Sequence, residues 1–150
     1  MRLTVSTPMA VVVDVEGVAH LRAEDDTGAF GILPGHADFL TVLSLSVATW
    51  RDTGGAEHHV ALRGGMLEVR GGETIAIATR QATADDDLHR LETEVLAAYR
   101  QAADEEQTAR SDAERLYLAA IRQIYRLLRP EGGAGMPGAP SVEQFRGLDQ

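Results

Sequence analysis

Carboxylates, imidazoles and guanidinium groups are the side chains of this sequence that could do chemistry, and their spacing says which chemistry. Asp85, Asp86 and Asp87 stand in a row, as a divalent-ion site or an acid/base pair would require. Consecutive carboxylates at the head of a helix-forming stretch are better accounted for as caps, where their charge suits the positive end of the helix dipole. The five histidines, His20, His36, His58, His59 and His89, show no zinc-ligand spacing with carboxylates. His58 and His59 are neighbours, and neighbours on a strand point to opposite faces, so an ordinary strand explains them better than a shared metal. No Walker-type phosphate loop is present. The run Gly28-Ala29-Phe30-Gly31-Ile32-Leu33-Pro34-Gly35 departs from the dinucleotide fingerprint, whose glycines open a helix rather than a proline-broken turn. There is no G-x-S-x-G elbow, and Ser44 and Ser46 lie in a strand-like run. With no cysteine in the chain, thiolate nucleophiles, thiolate metal sites and disulfides drop out together. No catalytic residue, no cofactor and no metal is expected.

The arginines are more informative. Arg115, Arg122, Arg126 and Arg129 are separated by seven, four and three residues, which places all four on one stripe of a helix, opposite an apolar one. Two readings stay open: a solvated face whose arginines pair with an acidic neighbouring helix, or a cationic ridge that meets an acidic partner.

The elements that must position these groups fall into two regions. From Arg2 to about Ala82, short β-branched runs alternate with glycines, the pattern of an all-β unit. Val11–Val15, Leu43–Trp50, Val60–Leu62, Met66–Val69 and Thr74–Ala78 are strand-length, with Gly17, Gly54-Gly55, Gly64-Gly65 and Gly71-Gly72 between them at turns. Hairpins at this spacing predict a sandwich or barrel. From Asp85 to Arg129 there is neither Gly nor Pro, and the period becomes helical. Leu88, Leu91, Val95, Tyr99 and Ala102 form one apolar stripe; Leu116, Tyr117, Ala120, Ile121, Ile124, Leu127 and Leu128 form another. The polar stretch Asp104–Ser111 lies between them, and Ser111-Asp112-Ala113-Glu114 reads as a capping box for a second helix. The pattern therefore predicts an α+β chain: an N-terminal β-sandwich over 1–84, a C-terminal antiparallel two-helix hairpin over 85–129, and a flexible Gly/Pro-rich tail over 130–150. With no residue forcing a turn, the hairpin could also open out. Val142, Phe145 and Leu148 in the tail read as a frayed end or a short docking helix.

Composition narrows the partners. Hydrophobic residues at 44% and charged ones at 25% are ordinary for a chain that folds. A net charge of -9 argues against nucleic acid or an anionic membrane surface as the main partner. No stretch approaches the roughly 18 apolar residues of a membrane span, and Met1–Ser6 carries no charged leader ahead of an apolar run. A cytosolic or peripheral protein without membrane insertion is expected.

The segment from Gly28 to Leu43, GAFGILPGHADFLTVL, closely resembles the signature of the epsilon subunits of F-type ATP synthases, approximately G-x-F-G-I-L-P-G-H-A-P-h-x-T-x-L. Gly64-Gly65-Met66-Leu67-Glu68-Val69 is similar to a second family element, and Thr74–Ala78 to its closing strand. The resemblance covers roughly residues 1–129. It implies a non-catalytic rotor subunit at the cytoplasmic face of a bacterial inner membrane, bound to the gamma subunit and seated on the c-ring. Its C-terminal helices would lie folded on the sandwich or extend toward the alpha/beta catalytic hexamer, restraining hydrolysis. Fully extended, about 45 helical residues would reach ~70 Å.

The glycines with Pro34 predict an irregular rigid loop displaying Phe30 and Ile32; the alternative is a loop that plugs its own sandwich. By resemblance Gly28, Phe30, Gly31, Ile32, Pro34, Gly35 and His36 would form the interface, and the Arg115–Arg129 ridge would meet the beta subunit. Asp38 replaces the usual proline, leaving a less rigid loop exit whose N–H is free to bond. Some family members bind ATP through (I/L)-D-x-x-R-A at the first helix; Asp87 and Arg90 keep two of its positions, without the leading apolar residue or the alanine. A free-standing small-molecule-binding sandwich with a helical lid is the alternative function.

Overall fold

A computed structural model describes residues 1–128 of the chain. Eight strands come first: β1 (Arg2–Ser6), β2 (Val11–Val15), β3 (Val18–Asp25), β4 (Gly28–Ile32), β5 (Phe39–Asp52), β6 (Glu57–Arg70), β7 (Thr74–Ala78) and β8 (Ala82–Asp85). They pair in the order β2-β1-β7-β6-β5-β3-β4, with β8 also on β6. All pairs are antiparallel except β1 with β7.

The long β5–β6 hairpin joins the two layers of the sandwich. The first half of β6 pairs with β8 (Val60↔Ala84, Leu62↔Ala82), and the second half pairs with β7 (Leu67↔Ile77, Val69↔Ile75). The change of partner falls at Gly64 and Gly65, whose φ angles of 65° and 130° suit residues without a Cβ. Gly65 is also packed from outside, for a Cβ there would lie 2.2 Å from the Ala78 carbonyl oxygen.

Alternation fills the space between the layers. In β1, Leu3 and Val5 point inward; in β7, Ile75 and Ile77 do; all four are buried, as are Leu21, Ile32 and Leu67. Val60, Ala61 and Leu62 are buried consecutively because β6 is covered on both faces here. Val60 and Leu62 join the sandwich core, whereas Ala61 meets Leu91, Leu96 and Tyr99 from the helical region, with Leu45, Val47 and Val95 around them.

That region consists of α1 (Leu88–Arg90), a π-helical turn over Leu91–Val95, and α2 (Leu96–Leu128). The expected two-helix hairpin is not what forms. α2 runs without a break through Asp104–Ser111, and Ser111 sits inside the helix, not at its N-cap. Glu, Gln, Ala and Arg in this stretch are strong helix formers, and neither Gly nor Pro interrupts them. Two of its polar side chains bond within the helix: Thr108 Oγ1 donates to the Asp104 carbonyl at 3.0 Å, and Glu105 accepts from Gln101 Nε2 at 3.1 Å.

The chain divides into two compact units, Met1–Thr108 and a second from Ala109 onward. Arg129 and the segment 130–150, with its expected tail and docking helix, lie outside the described residues. No helix among the described residues is long and apolar enough to cross a membrane.

Four surface carboxylates are held below their usual range. Asp25 accepts from the Thr27 and Thr41 hydroxyls at 2.6 and 2.8 Å, Asp52 from the Ala56 N–H at 3.0 Å, Asp14 from Arg2, and Glu57 from Arg51. A depressed carboxylate contributes stability above its unfolded pKa, about 4, and loses it as pH falls through the folded value. Thermal melts are therefore expected to be level from pH 7 to about 5 and to fall steadily below about 4. Asp25→Asn should shallow that fall; a melting temperature independent of pH down to 3 would refute the assignment.

Candidate interaction surface

The Gly28–Leu43 segment is more regular than its glycines imply. Gly28–Ile32 is strand β4, registered on β3 with Leu21 opposite Ile32 and Ala23 opposite Phe30. Ile32 is wholly buried in the core, so the expectation that a loop displays it is corrected. Phe30 is half-buried against the same core and meets Phe39 edge-on, ring centroids 5.5 Å apart. The irregular part is only Leu33–Asp38. There the His36 N–H donates to the Leu33 carbonyl at 3.1 Å, and the His36 ring packs edge-on against Phe39 at 5.7 Å. Leu33, not Ile32, is the large apolar residue this loop exposes.

The loop is fastened to the β6–β7 turn. The Gly35 N–H donates to the Gly72 carbonyl at 2.9 Å, and a Cβ on Gly72 would lie 2.7 Å from the Gly35 Cα. The Asp38 carboxylate accepts from the Gly71 N–H at 2.7 Å. Asp38 thus ties the loop exit down with its side chain, where a proline would do so through its ring.

Beside this loop lies an apolar surface that motif reading did not single out. Leu40 and Val42 alternate with inward residues of β5 and are 62% and 66% exposed; Met66, opposite Val42, is 48% exposed. The pairing continues from Met66 to Ala78, from Ala78 to Ser6, and from Ser6 to Val11, which is again exposed. One outward row, Val42–Met66–Ala78–Ser6–Val11, therefore crosses five strands with a single hydroxyl in it. Contiguous exposed apolar surface on a sheet marks a contact site.

The remaining expected site residues are placed as follows. Asp87 caps α1, its side chain accepting from the Arg90 N–H at 3.1 Å. Arg90 pairs with Asp85 at 2.7 Å and with Glu94 at 3.5 Å, so the two ATP-sensing candidates are engaged in the helix start itself. Arg115, Arg122 and Arg126 all lie on α2 and are exposed, with Arg115 3.9 Å from Asp112. Leu116, Tyr117, Ile124, Tyr125, Leu127 and Leu128 are exposed on the same helix. His58 stacks on Trp50, and the buried His59 ring bonds Thr49 at 2.9 Å. Among the described residues no group of three or more His, Cys, Asp or Glu is placed to hold a metal ion.

The profile of the ATP synthase Delta/Epsilon chain β-sandwich domain matches residues 1–85. The ATP synthase epsilon chain 2 of Paraburkholderia xenovorans (strain LB400) is 43% identical over 89% of this chain and 96% of its own length. The chain belongs to the ATP synthase epsilon chain family. A second epsilon chain 2, from Cereibacter sphaeroides, is 41% identical over 97% of this chain and 98% of its own. Among solved structures, a chain of the central stalk and c-ring assembly of the Tetrahymena thermophila mitochondrial ATP synthase superposes with a TM-score of 0.52 at 19% identity, covering 80% of this chain and 95% of that one. A chain of the Euglena gracilis mitochondrial ATP synthase gives 0.53 at 23%, covering 60% and 57%. At these identities the two structures speak for the fold. Family membership rests on the sandwich profile and the full-length epsilon chain relatives.

Proposed function

We propose that this epsilon chain is a non-catalytic rotor subunit that couples ion-driven c-ring rotation to ATP synthesis at the cytoplasmic face of a bacterial inner membrane. The observation that carries this is the outward apolar row of the sheet, which Leu40 extends toward the Leu33–Asp38 loop. Its chemistry suits a stable protein contact: large apolar side chains on a rigid sheet, with little ordering cost on binding. In this reading the sheet face docks on the gamma subunit, and the loop, with Phe30, Gly35 and His36 behind its apex, is seated on the c-ring.

The part of α2 beyond Thr108 is the regulatory arm. Its exposed Leu and Tyr side chains need a protein groove, and Arg115, Arg122 and Arg126 supply charge for an acidic surface of the alpha/beta hexamer. Contact there restrains ATP hydrolysis. Leu91, Leu96 and Tyr99 form a solid cluster with Ala61, which supports a fixed helical attachment over a lid on a ligand-binding sandwich.

The test is a synthase assembled with a chain ending at Thr108. It should retain stoichiometric epsilon and hydrolyse ATP faster than the complex with the full chain. An unchanged rate would remove the inhibitory role; loss of the subunit would show that the arm, not the sandwich, holds it in place.

A further inference from the structure

One carboxylate of α2 is held in a way its neighbours are not. Glu106 is gripped by two arginines of the sandwich: Arg63 Nη2 lies 3.0 Å from its Oε1, and Arg80 Nη1 3.1 Å from its Oε2. Arg63 comes from β6 just before the Gly64–Gly65 change of partner, and Arg80 from the β7–β8 connection. Gln81 steadies the arrangement: its backbone carbonyl accepts from the Arg63 N–H at 3.0 Å, and its side-chain oxygen from Arg63 Nη1 at 3.1 Å.

The burial of the three partners decides what the grip is worth. Arg80 and Glu106 are 64% and 49% exposed, and a pair like theirs alone contributes little. Arg63 is only 11% exposed. The Arg63 side chain is largely covered, so removing Glu106 leaves its charge with the Gln81 side chain beside it, and that is the costlier case. The apolar contribution runs out earlier. Tyr99 is the last buried residue of α2, its hydroxyl 2.8 Å from Thr83 Oγ1; over residues 100–108 only Ala102 and Ala103 are even half-covered.

We infer that Arg63 and Arg80 form a carboxylate clamp, and that Glu106 in this clamp is what docks the stretch of α2 after Tyr99 on the sandwich. Releasing that one carboxylate frees residues 100–108 while Leu91, Leu96 and Tyr99 keep the helix root in place. The clamp stands three residues before the second unit begins at Ala109. The inference concerns the isolated chain and does not depend on the rotor reading.

Amide hydrogen exchange on the full chain tests it, comparing wild type with Glu106→Gln and with Glu105→Gln. Glu105 is the control: it is adjacent, carries the same charge, and accepts a hydrogen bond from Gln101 on its own helix. Glu106→Gln should speed exchange over residues 100–108 about tenfold, leaving β5, β6 and residues 91–99 unchanged. Glu105→Gln should leave all these segments near wild type. Equal rates in wild type and Glu106→Gln would overturn the clamp. So would the same acceleration in Glu105→Gln, or acceleration spread over the sheet, which would make the contact part of global stability rather than a local fastening.

Discussion

Replacing Val42 and Met66 together by aspartate is expected to abolish binding to the gamma subunit while leaving the chain folded. Both side chains are on the outward face, directly opposite each other on β5 and β6. Aspartate there meets solvent in the free chain, but two like charges facing each other across the strands add to the cost, so the loss of stability should stay at ~1–2 kcal/mol in all. In the complex the two carboxylates would be buried without partners at the centre of the contact. Central apolar anchors cost about 2–4 kcal/mol each when truncated, and buried charge adds to that. Affinity should fall by more than ~1,000-fold, measured by titration calorimetry against the cognate gamma subunit. A drop under ~10-fold with the chain still folded would mean the contact lies elsewhere.

The second large effect is on the fold. Gly65→Ala is expected to destabilise the sandwich by roughly 3 kcal/mol or more, because the new Cβ is driven onto backbone and the φ of 130° disfavours any L side chain. The clash is with the Ala78 carbonyl, which lies on the neighbouring strand and cannot turn aside as a flexible side chain would. Gly71→Ala is the comparison. It has positive φ too, at 60°, but nothing within 4 Å of its Cβ, so its cost should stay near 1–2 kcal/mol. Urea unfolding of the two variants separates them. Equal midpoints would show that backbone conformation, and not the close approach of β6 to β7, governs this position.

What could be read from the residues follows from where the physics is local. Gly54-Gly55 and Gly71-Gly72 marked two hairpin turns, since positive φ is a single-residue property, whereas Gly64-Gly65 fall inside β6, where it changes partner, and not in a turn between two strands. The absence of Gly and Pro after Asp85 located the helical region for the same kind of reason. The errors arise where local rules compete. Ser111-Asp112-Ala113-Glu114 satisfies a capping pattern, yet the same residues also fit a helix interior, and here the helix continues. The glycines of Gly28–Ile32 suit a loop, yet Phe30 and Ile32 stand two apart, as neighbours on one face of a strand do, and a strand is what forms.

The apolar face was missed for another reason. Phe39-Leu40-Thr41-Val42-Leu43 is apolar at nearly every position, and such a run does not reveal which parity faces the core. Only the pairing of β5 with β6, and of β6 with β7, sets Leu40 and Val42 on the outward face. The Arg63–Glu106–Arg80 clamp was equally invisible, because it joins residues far apart in the chain.

The most direct test of the account is to titrate the full-length chain into its cognate gamma subunit and follow the complex by size exclusion and calorimetry. A one-to-one complex that survives chromatography is predicted. No detectable association, with both proteins folded, would contradict the rotor assignment.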